Sequence, residues 1–206
     1  MKSANLFSAH EKFEHIPMRD AEVYYLRQLQ LAQAPDLVMR QLIDKVSWRA
    51  ENIVVWGRTH PQPRLIAWYG DAGKNYTYSG TLWEPLPWTA VLLDIKSRVE
   101  GATRTDFNSV LLNYYRDHRD SMGFHSDDEP ELGEEPVLAS LSLGEERTFI
   151  LKHRRDKTLR PVRLKLASGS LLLMKGNTQH YWKHGIDKEA RPCGPRVNLT
   201  FRRILT

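Results

Sequence analysis

A single cysteine, Cys193, stands in 206 residues, so no disulfide can close within the chain and a reducing compartment is expected. No run of about 18 apolar residues occurs, so no membrane-spanning helix is expected. The opening stretch MKSANLFSAHEKFEHIPMRD lacks the apolar core of a secretory signal. Internal repeats and low-complexity segments are absent, and so is the P-C-x-x-C motif, which argues against a zinc deaminase. What remains is enough chain for one domain. Hydrophobic residues at 41% and aromatics at 10% suffice for a packed core.

Charge is unevenly spread. The formal net charge is +5 and the isoelectric point near 9.3, which favours an anionic partner. KHRRDKTLRPVRLK (152–165) is basic, and DDEPELGEE (127–135) is acidic. Opposed blocks suggest one surface for phosphates and one site for a cation, although two solvated loops would look the same.

Periodicity separates helices from strands. APDLVMRQLIDKVSW (34–48) puts Leu37, Val38, Leu42, Ile43 and Val46 at helical spacing. WTAVLLDIKSRVEGA (88–102) does the same with Val91, Leu92, Ile95 and Val99, and Gly101 is a candidate stop. Strand signals then dominate: 107–115, 137–143, 147–153, 162–176 with a turn at ASGS, and 196–204. RVNLTFRRI alternates strictly, with Val197, Leu199 and Phe201 on one face and Arg196, Asn198, Thr200 and Arg202 on the other. The second face must line a polar cavity or meet solvent. Many short strands behind two helices read as an α+β chain, mainly β, forming a β-sandwich or jelly roll with helical support.

His125 and Asp127 stand two apart in FHSDDEPELG, and positions i and i+2 of an extended chain share a face. Such a pair is common by chance. A downstream histidine would complete the two-His, one-carboxylate set of non-haem Fe(II) oxygenases, and QHYWKHGI (179–186) offers both His180 and His184. Both share strand parity, so spacing leaves the choice open. An oxygenase using 2-oxoglutarate also needs a cation for the cosubstrate's far carboxylate. Arg196 or Arg202 would serve, since a planar guanidinium binds a carboxylate bidentately.

His125-Ser-Asp127, a distal histidine and Arg196-Val-Asn198-Leu-Thr200-Phe-Arg202 together resemble the AlkB-type Fe(II)/2-oxoglutarate dioxygenases, most nearly homologs two and three of the human type. The resemblance runs from about Val54 to Ile204 and includes AWYGDAGKNYTYSG, NYYRDHRDSMGFHSDDEPELG and ASLSLGEERTF. It implies a double-stranded β-helix (jelly-roll, cupin-like) with supporting N-terminal helices, and oxidative demethylation of N1-methyladenine and N3-methylcytosine. It also implies Fe(II), 2-oxoglutarate and O₂. In that family the distal ligand stands twelve residues before the first arginine of the last strand, which points to His184. His180 becomes a rim residue, and His118 and His153 read as solvated loop histidines. Asn113 and Tyr115 match the polar pair that binds 2-oxoglutarate, with Asn198 and Thr200 on the same wall. The resemblance sets Arg196 on the distal carboxylate and Arg202 nearer the metal.

The same resemblance distributes the substrate contacts. Tyr78 would stack on a flipped base opposite His125, and Tyr76 and Ser79 would touch backbone or base edge. Both methylated bases are cationic with an amino donor, so Asp128 and Glu129 are candidates for attracting the charge and accepting that hydrogen bond. Asp120, Glu131, Glu134 and Glu135 read as ordinary loop charges. Trp56 would be a duplex-probing wedge or a core residue, with Arg58 and Arg64 on phosphate. The basic hairpin 152–165 would grip DNA, with salt-sensitive affinity.

The expected division of this single domain is an N-terminal extension (1–50), a nucleotide-recognition lid and support helix (51–105), and the core (106–206). The expected partner is DNA, with RNA a further candidate, no membrane, and a monomeric state. The compartment would be cytoplasmic and nucleoid-associated in a bacterium, or nuclear in a eukaryote. Two rivals remain: the same oxygenase chemistry on a protein or small molecule, and a nucleic-acid-binding module without chemistry.

Overall fold

The computed structural model describes residues 12–55, 58–78 and 81–205. In chain order, β1 (Glu14–Ile16) and β2 (Glu22–Leu26) precede α1 (Pro35–Lys45). Then come β3 (Asn52–Val55), β4 (Arg58–Pro61), β5 (Leu65–Gly70), β6 (Tyr76–Tyr78), β7 (Thr81–Trp83) and α2 (Ala90–Thr103). The remainder is β8 (Ser109–Tyr115), β9 (Met122–His125), β10 (Leu138–Gly144), β11 (Arg147–His153), β12 (Val162–Leu166), β13 (Leu171–Lys175), α3 (Thr178–Tyr181), β14 (Trp182–Ile186) and β15 (Arg196–Arg202).

Two antiparallel sheets face each other. The major one runs β1-β2-β13-β10-β15-β8-β5 and the minor one β12-β11-β14-β9. From β8 onward the chain passes back and forth between them, which makes the double-stranded β-helix. β3-β4 and β6-β7 are separate hairpins.

Strand alternation explains how one sheet serves two environments. On β15, Val197, Leu199 and Phe201 join the core beneath the helices, with Leu42 of α1 and Leu92, Ile95 and Val99 of α2. Truncating such a residue costs about 2–5 kcal/mol, so β15 is anchored through its apolar side. Its other side, Arg196, Asn198, Thr200 and Arg202, turns toward the minor sheet and is buried as well. A second apolar cluster closes the space between the sheets, with Leu138, Leu172 and Met174 against Phe149, Leu151, Trp182 and Ile186.

Helix starts follow local chemistry. Pro35 occupies the first turn of α1, where its missing N–H costs nothing, and Thr89 Oγ1 accepts from the Leu92 N–H at the start of α2. Three details differ from the sequence expectation. Leu37 is 51% exposed, and Met39 joins the expected Val38 and Leu42 on the packing face. Helix α2 runs past Gly101 and stops at Arg104, which adopts a left-handed conformation with φ 54. The sheet also crosses the division expected at residue 106: β2 pairs with β13, and β5 with β8. Among the described residues, no helix is long and apolar enough to cross a membrane.

Candidate metal and cosubstrate site

Register brings the two imidazoles together. His125 on β9 is the cross-strand partner of His184 on β14, and their rings stand 4.4 Å apart, edge to face. Asp127 follows β9 and reaches between them. Its Oδ1 lies 3.8 Å from His125 Nε2, and its Oδ2 lies 3.7 Å from His184 Nε2. One ligand atom from each of the three residues lies within 4.8 Å of the others. His125 is 29% exposed at its side chain, against 2% for Asp127, so the cluster opens on the His125 side.

Protonation suits a cation. His125 Nδ1 contacts the Gly123 carbonyl at 2.9 Å. A carbonyl can only accept, so Nδ1 carries a proton, and Nε2 is the ring nitrogen turned toward Asp127. Burial, and then the nearby His125, push His184 down to about 3, so that ring is neutral near pH 7; it also stacks on Phe149. Burial raises the Asp127 carboxyl, but the charge and hydrogen bond of Arg202 lead the effects that hold the group below the ordinary carboxylate range. Two imidazoles and one carboxylate are a donor set that fits Fe(II). His180 belongs elsewhere: it is exposed, and its Nε2 contacts the Glu134 carbonyl.

One cavity collects the cosubstrate candidates Asn113, Tyr115, Arg196, Asn198, Thr200 and Arg202 beside the three metal-site residues. Met122, Phe149, Met174 and Ile186 supply its apolar wall. Arg196 is 1% exposed. Its Nη2 donates to Ser142 Oγ at 2.9 Å, while Nε and Nη1 are buried with no hydrogen-bond partner among the described residues. Burial pushes this guanidinium down from its ordinary range. Orphaned donors on a buried cation are expensive unless an anion meets them, and a carboxylate is the anion their fork fits. Arg202 is already engaged, since its Nη2 donates to Asp127 Oδ1 at 2.9 Å. Asn198 Nδ2 donates to Ser140 Oγ and the Leu141 carbonyl, and Thr200 Oγ1 donates to Asn198 Oδ1.

Several expectations need correction. Arg64 does not face phosphate. It is 5% exposed and donates through Nε to Asn113 Oδ1 at 2.8 Å and through Nη1 to the Ser121 carbonyl. That contact leaves Asn113 Nδ2 as the donor for the cavity. Asp120 is no loop charge, for it is buried and takes Arg116 bidentately at 2.8 and 2.9 Å. His153 is buried too: its Nδ1 accepts from the Arg155 and Asp156 N–H groups, folding the turn of the basic hairpin, and its ring stands edge-on to Trp182.

Arg58 is exposed at the start of β4. Tyr76 and Tyr78 lie on β6, paired with Trp83 and Thr81. Ser79 and Trp56 lie outside the described residues. Asp128 is half-exposed and ion-paired with Arg154 at 2.5 Å, and Glu129 is partly buried just before a 3-10 turn at Pro130–Leu132.

Gln179 is a residue that sequence reasoning missed. It is fully buried, and its Oε1 accepts from the Asp127 N–H at 3.1 Å. Ser126 Oγ donates to the Trp182 carbonyl at 3.0 Å. Together they bind the segment carrying Asp127 to the segment leading into His184. No spacing rule announces such a role; a glutamine between a turn and a strand reads as surface.

A family model described as the 2OG-Fe(II) oxygenase superfamily matches residues 22–202. The chain is 46% identical over 177 residues to mouse alpha-ketoglutarate-dependent dioxygenase alkB homolog 3, a match spanning 82% of this chain and 61% of that protein. It is 39% identical over 207 residues to human DNA oxidative demethylase ALKBH2, covering 96% of this chain and 79% of that protein. Among solved structures, OsALKBH1 superposes with a TM-score of 0.65 at 16% identity, covering 93% of this chain and 100% of that one. At that identity the likeness speaks for the fold.

Proposed function

Because the chain belongs to the 2OG-Fe(II) oxygenase superfamily, we infer that it oxidatively demethylates alkylated nucleobases in DNA, consuming 2-oxoglutarate and O₂ and releasing succinate, CO₂ and formaldehyde. The observation that carries this reading is the single cavity in which a His-Asp-His cluster stands beside Arg196, a buried cation with free donors. The named activity of relatives such as ALKBH2, a DNA oxidative demethylase, supports the substrate class.

In this reading His125, Asp127 and His184 hold Fe(II). When bound with 2-oxoglutarate and O₂, the metal supplies the oxidising power to hydroxylate an N-methyl group, chemistry that belongs to the cofactor and cosubstrate. The chain's own residues bind and orient. Arg196 takes the distal carboxylate of 2-oxoglutarate on Nε and Nη1. Asn113 Nδ2, oriented by Arg64, adds a donor to the same molecule. Arg202 keeps Asp127 ionised and fixed. Met122, Phe149, Met174 and Ile186 exclude water from the cavity. Tyr78 stacks the extruded base, Tyr76 and Ser79 contact its edge or backbone, and Asp128 and Glu129 favour a cationic base. Arg58 and the basic hairpin meet phosphates.

Formaldehyde release from matched single-stranded, duplex and RNA oligomers carrying N1-methyladenine tests the function, and no release from any of them would overturn it. Arg196→Ala is expected to raise the apparent KM for 2-oxoglutarate roughly ten- to hundredfold, since a charge-assisted pair contributes about 1.5–3 kcal/mol. An unchanged KM in steady-state assays would move the distal carboxylate to another cation. Trp56→Ala is expected to lower the duplex rate several-fold more than the single-strand rate, because only a duplex demands a few kcal/mol of unstacking. A proportional fall in both rates, with a lowered melting temperature, would remove the wedge role.

A further inference from the structure

Arg147 is a cation that the proposed chemistry leaves unused. It opens β11, and its side chain is wholly buried. A guanidinium in that position is tolerated only if its donors are met. Here Nη1 and Nη2 meet backbone oxygens, while Nε makes no hydrogen bond among the described residues. Nη2 donates to the Asp120 carbonyl at 2.9 Å and the Asp187 carbonyl at 2.7 Å, and Nη1 donates to the Asp117 carbonyl at 3.4 Å. Glu189 Oε1 lies 3.4 Å from Nε.

Those carbonyls belong to two crossovers between the sheets. Residues 116–121 lead from β8 to β9, and residues 187–195 lead from β14 to β15. Arg147 itself ends the short crossover from β10 to β11. Three sheet-to-sheet connections therefore converge on one guanidinium.

The same guanidinium bears on the cavity. Its Cζ stands 5.7 Å from the centroid of the Tyr115 ring, and Arg196 Cζ stands 5.1 Å from that centroid. Tyr115 and Arg196 are cross-strand partners on β8 and β15. The ring thus sits against both cations, while Arg147 is not among the residues lining the cavity.

We propose that Arg147 is a positioning residue for the cosubstrate pocket. It pins the two long crossovers and backs the Tyr115 ring, and so fixes the pocket end at which Arg196 presents its free donors to a dicarboxylate. This rests on the reading that 2-oxoglutarate occupies that pocket. The guanidinium bridges the loops at its far end, where Nη2 meets one carbonyl from each and Nη1 adds a second from the first loop. A lysine is one bond shorter, so its ammonium stops short of the Nη2 position that bridges the Asp120 and Asp187 carbonyls, and it has no second nitrogen for the Asp117 carbonyl.

Arg147→Lys is expected to raise the apparent KM for 2-oxoglutarate roughly tenfold, the scale of one lost charge-assisted hydrogen bond. Arg147→Met should raise it further, since the positive potential beside Arg196 goes too. The kcat at saturating 2-oxoglutarate and the KM for the methylated oligomer should stay within about threefold of wild type. Calorimetric titration of 2-oxoglutarate into Mn(II)-loaded protein reads the same effect without turnover. If Arg147→Lys does not accumulate folded, Glu189→Ala on the loop surface should give a smaller rise of about two- to threefold. A folded Arg147→Lys, or failing that Glu189→Ala, with wild-type KM overturns the proposal. So does an equal rise in the KM for the oligomer, which would signal general loosening. Wild-type protein that fails to bind 2-oxoglutarate overturns the functional reading, whereas wild-type binding with an unaffected variant overturns only the role of Arg147.

Discussion

His184→Ala is expected to abolish retention of Fe(II) and to lower 2-oxoglutarate turnover by at least about a hundredfold, while His180→Ala keeps at least roughly a tenth of it. Removing a residue that merely supports a ligand typically costs about 10–100-fold, so the loss of a ligand should reach at least the upper figure. His184 is buried, faces Asp127 at 3.7 Å and is kept neutral, so its lone pair is available to a metal. His180 is exposed and turned to the Glu134 carbonyl. Metal analysis of the purified variants decides the matter alongside succinate formation. Equal loss of iron from both would mean that the cluster of His125, Asp127 and His184 is not the metal site.

Parity alone could not separate those two histidines, since four residues along a strand return to the same face. The structure separates them by interrupting the strand: His180 lies in the short helix α3, and only from Trp182 does the chain become extended. Alternation was a sound guide where it met no interruption. On β15 it sorted Val197, Leu199 and Phe201 from Arg196, Asn198, Thr200 and Arg202 correctly, because a strand between a helical layer and a second sheet must put different chemistry on each face.

Buried charge was the least legible feature. Arg64, Asp120, Arg147 and His153 are all interior, yet each belongs to a residue type that usually meets water. Asp120 and His153 meet near neighbours, Arg116 and the turn at Arg155 and Asp156, but the burial of Arg64 and Arg147 depends on partners far along the chain: Asn113 for Arg64, and two crossover loops for Arg147. Nothing in a local window carries such information. β2 escaped for a related reason: EVYYL favours a strand but is only five residues long, and its partner β13 lies 145 or more residues later. Nothing in the sequence showed what Arg202 holds: its Nη2 is given to Asp127.

That last contact makes a strong prediction. Arg202→Met is expected to lower the melting temperature of the metal-free protein by roughly 6–20 °C. Arg202 and Asp127 are 3% and 2% exposed at their side chains, so removing the guanidinium leaves a carboxylate buried beside two imidazoles that are poor substitutes. Breaking a buried pair in this way costs about 3–5 kcal/mol, and each kcal/mol shifts a domain of this size by about 2–4 °C. A divalent cation bound to Asp127 would supply positive charge of its own. Adding Mn(II) should therefore raise the melting temperature of Arg202→Met more than that of wild type. Replacing the carboxylate should also relieve the strain, so Asp127→Asn with Arg202→Met should be more stable than Arg202→Met alone, a coupling that a double-mutant cycle reads directly. If the double variant is no more stable, and Mn(II) helps both proteins equally, the cost comes from lost packing around β15 and not from an uncompensated charge at the metal site.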